Sequence, residues 1–126
     1  MKRNRPLIPN ITSNGSQSDQ EAFQNTTLRP ILKGLHELII LFMSDYFRQK
    51  KGRFFKLTEV EKPPYLLKVF KTDSQLKLHL RAMVVGNFTV EEFLRYVDIK
   101  IAINKRMNEI ILKRLLDSIN ELSVKE

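Results

Sequence analysis

The chain has 126 residues, enough for one domain with a single apolar core, and its 42% hydrophobic and 29% charged residues are typical of a globular protein. Lysine and arginine number 22 against 14 aspartate and glutamate, so the formal net charge of +8 favours polyanions: acidic protein surfaces, nucleic acid or anionic lipid. The lack of cysteine excludes disulfides, a thiolate nucleophile and cysteine-bound zinc.

The N-terminal region lacks the apolar segment of a secretory signal. Its basic start, residues 1–5, is followed by Pro6, Pro9 and a polar tract, where a signal needs at least about seven consecutive apolar residues. The longest strongly apolar run, Leu38 to Met43, is far shorter than the roughly 20 residues that cross a bilayer. We therefore expect a cytoplasmic protein that does not insert into membranes.

Residues 1–20 are predicted to form a flexible basic and polar tail, because they offer no periodic apolar face to bury. Residues 21–126 then make up a single helical domain. Its two prolines, Pro6 and Pro9, favour an extended chain.

The first strong helix is predicted from about Thr27 to near Gly52. Thr27 is a reasonable N-cap, and Pro30 falls in the first turn, where the missing amide hydrogen costs nothing. Apolar residues follow at the three-and-four spacing of one helix face. They are Leu28, Ile31, Leu32, Leu35, Leu38, Ile39, Phe42, Met43 and Tyr46.

A short helix is predicted from the double proline to Lys71. Thr58 to Glu61 has the pattern of a capping box, but Pro63 and Pro64 would lie too deep in a helix that began there. The helix is therefore expected to start at the prolines.

The next two helices are predicted to meet at a tight corner. Thr72 to Gln75 offers a capping box, and Gly86 is expected to close that helix as a left-handed C-cap. Thr89 then caps the following helix, with Glu92 as its reciprocal partner. The inward residues of the first of these helices are Leu76, Leu80, Met83 and Val84.

A last amphipathic helix is predicted to run to within a few residues of the C-terminus, and residues 54–57 are the sole candidate for a strand. Long helices joined by short ones bury their apolar faces against each other. The predicted fold is all-α, an irregular bundle of four to five helices. The inward residues of the last helix are Ile103, Met107, Ile110, Ile111, Leu115, Ile119 and Leu122.

Residues with catalytic chemistry are sparse in this sequence. His36 and His79 are the two histidines, and neither belongs to an HExxH motif or to a carboxylate pair at metal-binding spacing. Glu91 and Glu92 are adjacent in a first helical turn, where the helix dipole and capping explain both. No glycine-rich phosphate loop, nucleophile elbow or dinucleotide fingerprint occurs. We therefore expect no catalytic residue, no metal site and no cofactor.

A basic and aromatic segment lies between Tyr46 and Thr58. Its cations would contact phosphates while an exposed aromatic ring stacks on an unpaired base, each stack contributing roughly 1 to 3 kcal/mol. Alternatively, the cations complement a helix C-terminus and the aromatic rings belong to the core. The predicted binding residues of this segment are Arg48, Lys50, Lys51, Arg53, Lys56, Phe54 and Phe55.

A second basic pair, Lys105 and Arg106, is predicted at the start of the last helix. Cations there oppose the helix dipole unless a negative group compensates them, which indicates a binding role. The alternative is an intramolecular ion pair with Glu91, Asp98 or Glu109. The sequence leaves both interpretations open.

Four short motifs are distributed over nearly the whole chain. They are Arg5-Pro6-x-Ile8-Pro9-Asn10, Phe23-Gln24-Asn25-x-Thr27-Leu28-Arg29-Pro30-Ile31, Gly86-x-Phe88-Thr89-x-x-Glu92 and Asn104-Lys105-Arg106-Met107. With these motifs the chain resembles a group of small, largely uncharacterised bacterial proteins, some of which carry the label glyoxalase. The resemblance implies a shared helical fold and a tail used for contact, which would order on binding and, being stiffened by its prolines, would lose less entropy on docking. The tail contacts predicted on this basis are Lys2, Arg3, Arg5, Pro6, Pro9 and Asn10. The resemblance supplies no catalytic residue, because glyoxalases use βαβββ modules and a metal held by His and Glu or Gln, and the sequence predicts neither.

Three hypotheses about function follow. The favoured one is a non-catalytic adaptor that uses a basic helical surface and the tail to bind an acidic protein surface, a larger assembly or a second copy as a homodimer. The second is binding of RNA, DNA or a ribonucleoprotein through the basic and aromatic segment, residues 46–56. The third, which the sequence disfavours, is a metal enzyme of the kind that the glyoxalase label names.

Overall fold

A computed structural model describes residues 16–123, which form a bundle of helices without strands. The predicted all-α class is confirmed. None of the described helices has both the length and the hydropathy of a membrane-spanning segment. The first two helices and the turn between them form one continuous run. In chain order the elements are α1 (Ser16–Phe23), a π-helical turn (Gln24–Leu28), α2 (Arg29–Gln49), a 3-10 helix (Arg53–Lys56), α3 (Lys62–Thr72), α4 (Ser74–Val85), α5 (Val90–Asp98), α6 (Lys100–Asp117) and a second 3-10 helix (Ile119–Glu121).

The first helical run starts earlier than predicted, because Phe23 anchors the residues before Thr27 in the core. In the π-helical turn the N–H of Arg29 donates to the carbonyl oxygen of Gln24. Pro30 has no amide hydrogen and its ring crowds the preceding turn, so a wider turn just before it accommodates the proline. Thr27 therefore lies inside the run with a buried side chain, and its prediction as an N-cap is wrong.

α2 ends near Gly52, as predicted, through a Schellman turn. The N–H of Gly52 donates to the carbonyl oxygen of Phe47 at 2.9 Å. The N–H of Lys51 donates to the carbonyl oxygen of Arg48 at 3.1 Å. Both residues of the turn are left-handed, with φ of 68° at Lys51 and 65° at Gly52. The position directly after the C-cap Lys50, where this motif favours glycine, is therefore occupied by a lysine.

α3 begins at Lys62, so Pro63 and Pro64 lie in its first turn, as predicted. The capping-box hydrogen bonds upstream also form: the N–H of Thr58 donates to Glu61 Oε1 at 2.9 Å, and the N–H of Glu61 donates to Thr58 Oγ1 at 3.3 Å. They close a turn that ends just before the helix. The capping pattern and the double proline are therefore compatible.

α4 is capped by Asp73 and not by Thr72. The Asp73 carboxylate accepts a hydrogen bond from the N–H of Leu76 at 3.0 Å, whereas the Thr72 hydroxyl donates to the carbonyl oxygen of Lys68 at 2.9 Å. At the other end Gly86 has a right-handed backbone, with φ of −61°, so the predicted left-handed C-cap is wrong. The chain leaves α4 through a tightened last turn that needs no positive φ.

The predicted capping box of α5 is confirmed. The N–H of Thr89 donates to Glu92 Oε1 at 2.9 Å, and the N–H of Glu92 donates to Thr89 Oγ1 at 3.1 Å. Glu92 is only 5% exposed, and its second carboxylate oxygen lies 3.4 Å from Thr27 Oγ1. The cap therefore also ties α5 to the π-helical turn.

A single apolar core lies between the long run and α6, with α3 and α4 against them. The inward residues predicted for α4 and α6 face this core, and the candidate strand at 54–57 is instead part of a 3-10 helix and its exit. The large, fully buried side chains are Phe23, Phe47, Phe54, Leu28, Leu32, Ile39, Met43, Leu66, Leu76, Leu80, Ile103 and Met107.

Candidate functional site

The cations predicted near the end of α2 gather around one reversal of the chain. The Schellman turn reverses the backbone, and the 3-10 helix folds back onto α2. Every one of these cations is exposed to solvent. We name this surface the basic corner; it consists of Arg48, Lys50, Lys51, Arg53 and Lys56.

The aromatic residues of the same segment face the interior. Phe54 is fully buried and stacks on Phe47, with ring centroids 4.2 Å apart and planes 8° from parallel. Phe55 is half-buried and packs edge-on against both rings. The prediction that Phe54 is an exposed platform for a nucleic-acid base is therefore wrong, because the 3-10 helix places its ring between α2 and Tyr65 of α3.

The cations of the basic corner differ in their intramolecular contacts. Arg48 lies 3.3 Å from the carboxylate of Asp45, and Lys50 Nζ lies 5.4 Å from the ring centroid of Tyr46. The exposed ion pair with Asp45 contributes at most about 1 kcal/mol, and an exposed cation–π contact such as that of Lys50 contributes about 0.5 to 1 kcal/mol. Within residues 16–123 the other three cations of the corner form no ion pair. Their charge is available to a partner.

Lys62 adds a further cation beside the corner, and its position was not predicted from the sequence. It is the first residue of α3, and its Nζ lies 5.2 Å from the ring centroid of Phe54. Lys62 lies outside the basic and aromatic segment along the chain. It approaches the corner because α3 packs beside the 3-10 helix that carries Phe54.

An open cavity of about 390 Å³ lies beside the basic corner, lined by Tyr46 and Lys50 of the α2 end and by Asp73 at the start of α4. Tyr46 Oη donates a hydrogen bond to Asp73 Oδ2 at 2.5 Å. Burial, and then the neighbouring carboxylate, raises the pKa of Tyr46 above its ordinary range. The same hydrogen bond, with that from the N–H of Leu76, lowers the pKa of Asp73. A neutral phenol on an ionised carboxylate therefore fixes the end of α2 to α4.

The two residues of the second predicted basic pair, Lys105 and Arg106, lie in different environments. α6 begins at Lys100, so Lys105 and Arg106 lie in its second turn and not at its start. Arg106 is half-buried, and its Nη1 donates to Gln24 Oε1 at 2.8 Å. The intramolecular partner is thus an amide of the π-helical turn, not one of the predicted acids. Of the two cations, Lys105 is the exposed one.

The two histidines have separate partners. Arg114 Nη1 lies 3.2 Å from His36 Nδ1 and donates to it, so the ring hydrogen is on Nε2, which lies 2.9 Å from Glu121 Oε1. His79 packs edge-on against Phe42, with ring centroids 6.4 Å apart. In the described part of the chain no group of three or more His, Asp or Glu side chains is placed to hold a metal ion.

The predicted tail contacts, Lys2 to Asn10, lie outside the described residues. α1 begins at Ser16, so residues 16–20 of the predicted tail are helical. The helical part of the chain therefore starts before the predicted domain boundary at residue 21.

An exposed apolar surface on α5 was not predicted from the sequence. Apolar residues at helical spacing predict an inward face, but α5 buries Glu92 and Tyr96 instead. The capping carboxylate of Glu92 and a 2.6 Å hydrogen bond from Tyr96 Oη to Asn104 Oδ1 orient the helix this way. The apolar side chains on its other side are between 43% and 78% exposed. We name this surface the α5 patch; it consists of Val90, Phe93, Leu94 and Val97.

Comparison with known proteins found no match among family models, curated proteins or solved structures. The resemblance to small bacterial proteins stays a prediction made from the four motifs.

Proposed function

We propose that this chain is a non-catalytic adaptor that binds an acidic surface of a protein partner through the basic corner. The observation that carries the proposal is the arrangement of five exposed cations around one chain reversal, on a backbone anchored by buried aromatic rings. Oppositely charged surfaces steer association and determine which partner is accepted.

The rigidity of the corner supports this function. The stacked rings of Phe47 and Phe54 hold the 3-10 helix against α2, and the hydrogen bond from Tyr46 to Asp73 holds the end of α2 against α4. A preorganised surface loses less conformational entropy when a partner binds. The cations therefore project from a fixed frame although their side chains are long.

The conformation of Lys51 supports it further. A non-glycine residue in the left-handed region is destabilised by roughly 1 to 2 kcal/mol relative to its right-handed form. Lys51 occupies this region at the position where a Schellman turn favours glycine. Residues held in such conformations are concentrated at functional sites. The turn directs the charge of Lys51 outward at the expense of backbone stability.

The residues with candidate catalytic chemistry have structural roles in the described chain, which supports a binding function. Glu92 caps α5 and His36 joins α2 to the chain after α6. His79 packs on Phe42.

Binding of RNA or DNA is the second candidate function, because the same exposed cations attract the negatively charged phosphates of a nucleic acid. With Phe54 buried, the contacts would be to the phosphate backbone and would carry little sequence preference. An acidic protein surface is favoured over nucleic acid because Phe54 is fully buried and Phe55 is half-buried against it, which leaves little ring surface for stacking on a base.

The two functions are separated by fluorescence anisotropy with two probes of equal charge, a glutamate-rich peptide and a single-stranded oligonucleotide. Lys51→Glu with Arg53→Glu reverses charge at the corner; Lys33→Glu with Lys113→Glu makes the same change elsewhere on exposed helix positions. We expect the corner variant to weaken peptide binding at least about tenfold more than the control. Equal weakening by both pairs would refute a corner-specific site, and preferential loss of the oligonucleotide would establish the second candidate.

A further inference from the structure

The α5 patch has the composition of a surface that another segment covers. Its side chains recur over two helical turns, and they include the aromatic ring of Phe93. Exposed apolar residues are ordinary when scattered singly, but a continuous helical face of them marks a contact surface. The patch is distinct from the basic corner, which lies at the end of α2.

The border of the patch is acidic along one edge. Glu91 and Asp98 are both exposed and lie seven residues apart, so they project from the same side of α5. The negative charges of this edge attract a basic segment, and a chain with a net charge of +8 has basic residues to supply.

The first 15 residues of the chain have the matching chemistry. They contain three cations, Lys2, Arg3 and Arg5, and no acidic residue. They also carry Leu7, Ile8 and Ile11, which are apolar enough to pack on the patch. The segment therefore complements both the apolar face and its acidic edge.

The end of α1 lies beside α5, so the segment that precedes α1 starts within reach of the patch. At the end of α1 the ring of Phe23 lies 5.5 Å from that of Phe88 and 5.4 Å from the guanidinium of Arg95 on α5. Ser16 is about 10 Å of helix away from Phe23. Eight residues of extended chain between Ile8 and Ser16 span up to about 27 Å, twice the roughly 13 Å length of α5.

We propose that residues 1–15 bind in cis to the α5 patch, with Leu7, Ile8 or Ile11 on the apolar face and the cations along the edge formed by Glu91 and Asp98. A segment tethered this closely is present at an effective concentration in the millimolar range, so even weak contacts favour the bound form. The proposal goes beyond adaptor function, since it assigns the patch an occupant within the chain.

The natural lack of cysteine allows a direct test with the full chain. Ile8→Cys is paired with Leu94→Cys in the patch, and the control pairs Ile8→Cys with Val60→Cys, which is 82% exposed in the turn before α3. Under mild oxidation the intramolecular disulfide is followed by non-reducing electrophoresis and mass spectrometry. We expect it to form at least about tenfold faster in the patch pair than in the control pair.

Equal rates in the two pairs would overturn the proposal. Disulfide-linked dimers in place of intramolecular closure would also overturn it and would assign the patch to a second copy. An independent readout uses a solvatochromic dye that binds exposed apolar surface: Leu7→Asp with Ile8→Asp should raise dye fluorescence severalfold, whereas Thr12→Asp with Ser13→Asp should not. No increase in the first variant would contradict a tail bound to the patch.

Discussion

Tyr46 Oη donates a hydrogen bond to Asp73 Oδ2 at 2.5 Å, although the two residues are 27 positions apart in the chain. The other carboxylate oxygen of Asp73 accepts the N–H of Leu76 at 3.0 Å and caps α4. One side chain therefore starts α4 and holds the end of α2, from which the basic corner projects. The position of the corner depends on this shared carboxylate.

Tyr46→Phe removes the hydrogen bond to Asp73 and keeps the ring. We expect the free energy of unfolding to fall by about 1.5 kcal/mol, the lower end for a hydrogen bond to a charged group, because the pair is only partly buried. Urea unfolding monitored by circular dichroism measures the change. Tyr65→Phe is the matched control and should have a smaller effect; equal effects would show that the contact with Asp73 is not special.

The stability difference between wild type and Tyr46→Phe should depend on pH. The Tyr46 hydrogen bond lowers the pKa of Asp73, so its stabilising contribution is present above the ordinary aspartate pKa of about 3.9 and is lost as the pH falls through the lower folded value. The difference in free energy of unfolding should therefore be constant near neutral pH and shrink below about pH 4. A difference that grows on acidification would contradict this assignment.

Phe54→Ala should destabilise the fold by about 3 to 5 kcal/mol, because a fully buried ring stacked on Phe47 is lost from the core. Phe55→Ala should cost less, since that ring is half-buried. Thermal unfolding measures both. If Phe54→Ala instead kept its melting temperature and lost oligonucleotide binding, the ring would be a stacking platform after all.

Lys51→Gly should stabilise the protein and weaken its binding. Glycine relieves a left-handed φ of 68°, and we expect a gain of about 1 kcal/mol after the greater freedom of glycine in the unfolded chain is subtracted. The control is Lys50→Gly, which removes the same charge at a φ of −93° and should not stabilise. Chemical unfolding and peptide anisotropy on both variants test the two effects. A destabilised Lys51→Gly would show that the lysine side chain supports the turn.

The elements that could be predicted from the sequence are those whose causes are local. The Thr89 and Glu92 cap requires two residues three positions apart, and the glycine at position 52 marks a chain reversal. The inward faces of α4 and α6 follow from apolar spacing alone. The run of cations around Gly52 likewise predicted that the basic corner lies near the end of α2.

The features that could not be predicted depend on contacts between distant segments. Thr27 was predicted to be an N-cap, but the packing of Phe23 against Phe88 extends the helical run toward the N-terminus. Phe54 and Phe55 are flanked by cations in the sequence, and it is the packing against α2 and α3 that decides which ring is buried. The α5 patch has the spacing of an inward face; its outward orientation follows from the burial of Glu92.

Affinity purification of the full chain from its native cells tests the central claim most directly. Wild type, Lys51→Glu with Arg53→Glu, and the control Lys33→Glu with Lys113→Glu are compared with and without nuclease. The adaptor account predicts that an acidic protein is retained by wild type and by the control after nuclease treatment and is lost from the corner variant. Equal retention by all three forms, or loss of every partner on nuclease treatment, would contradict it.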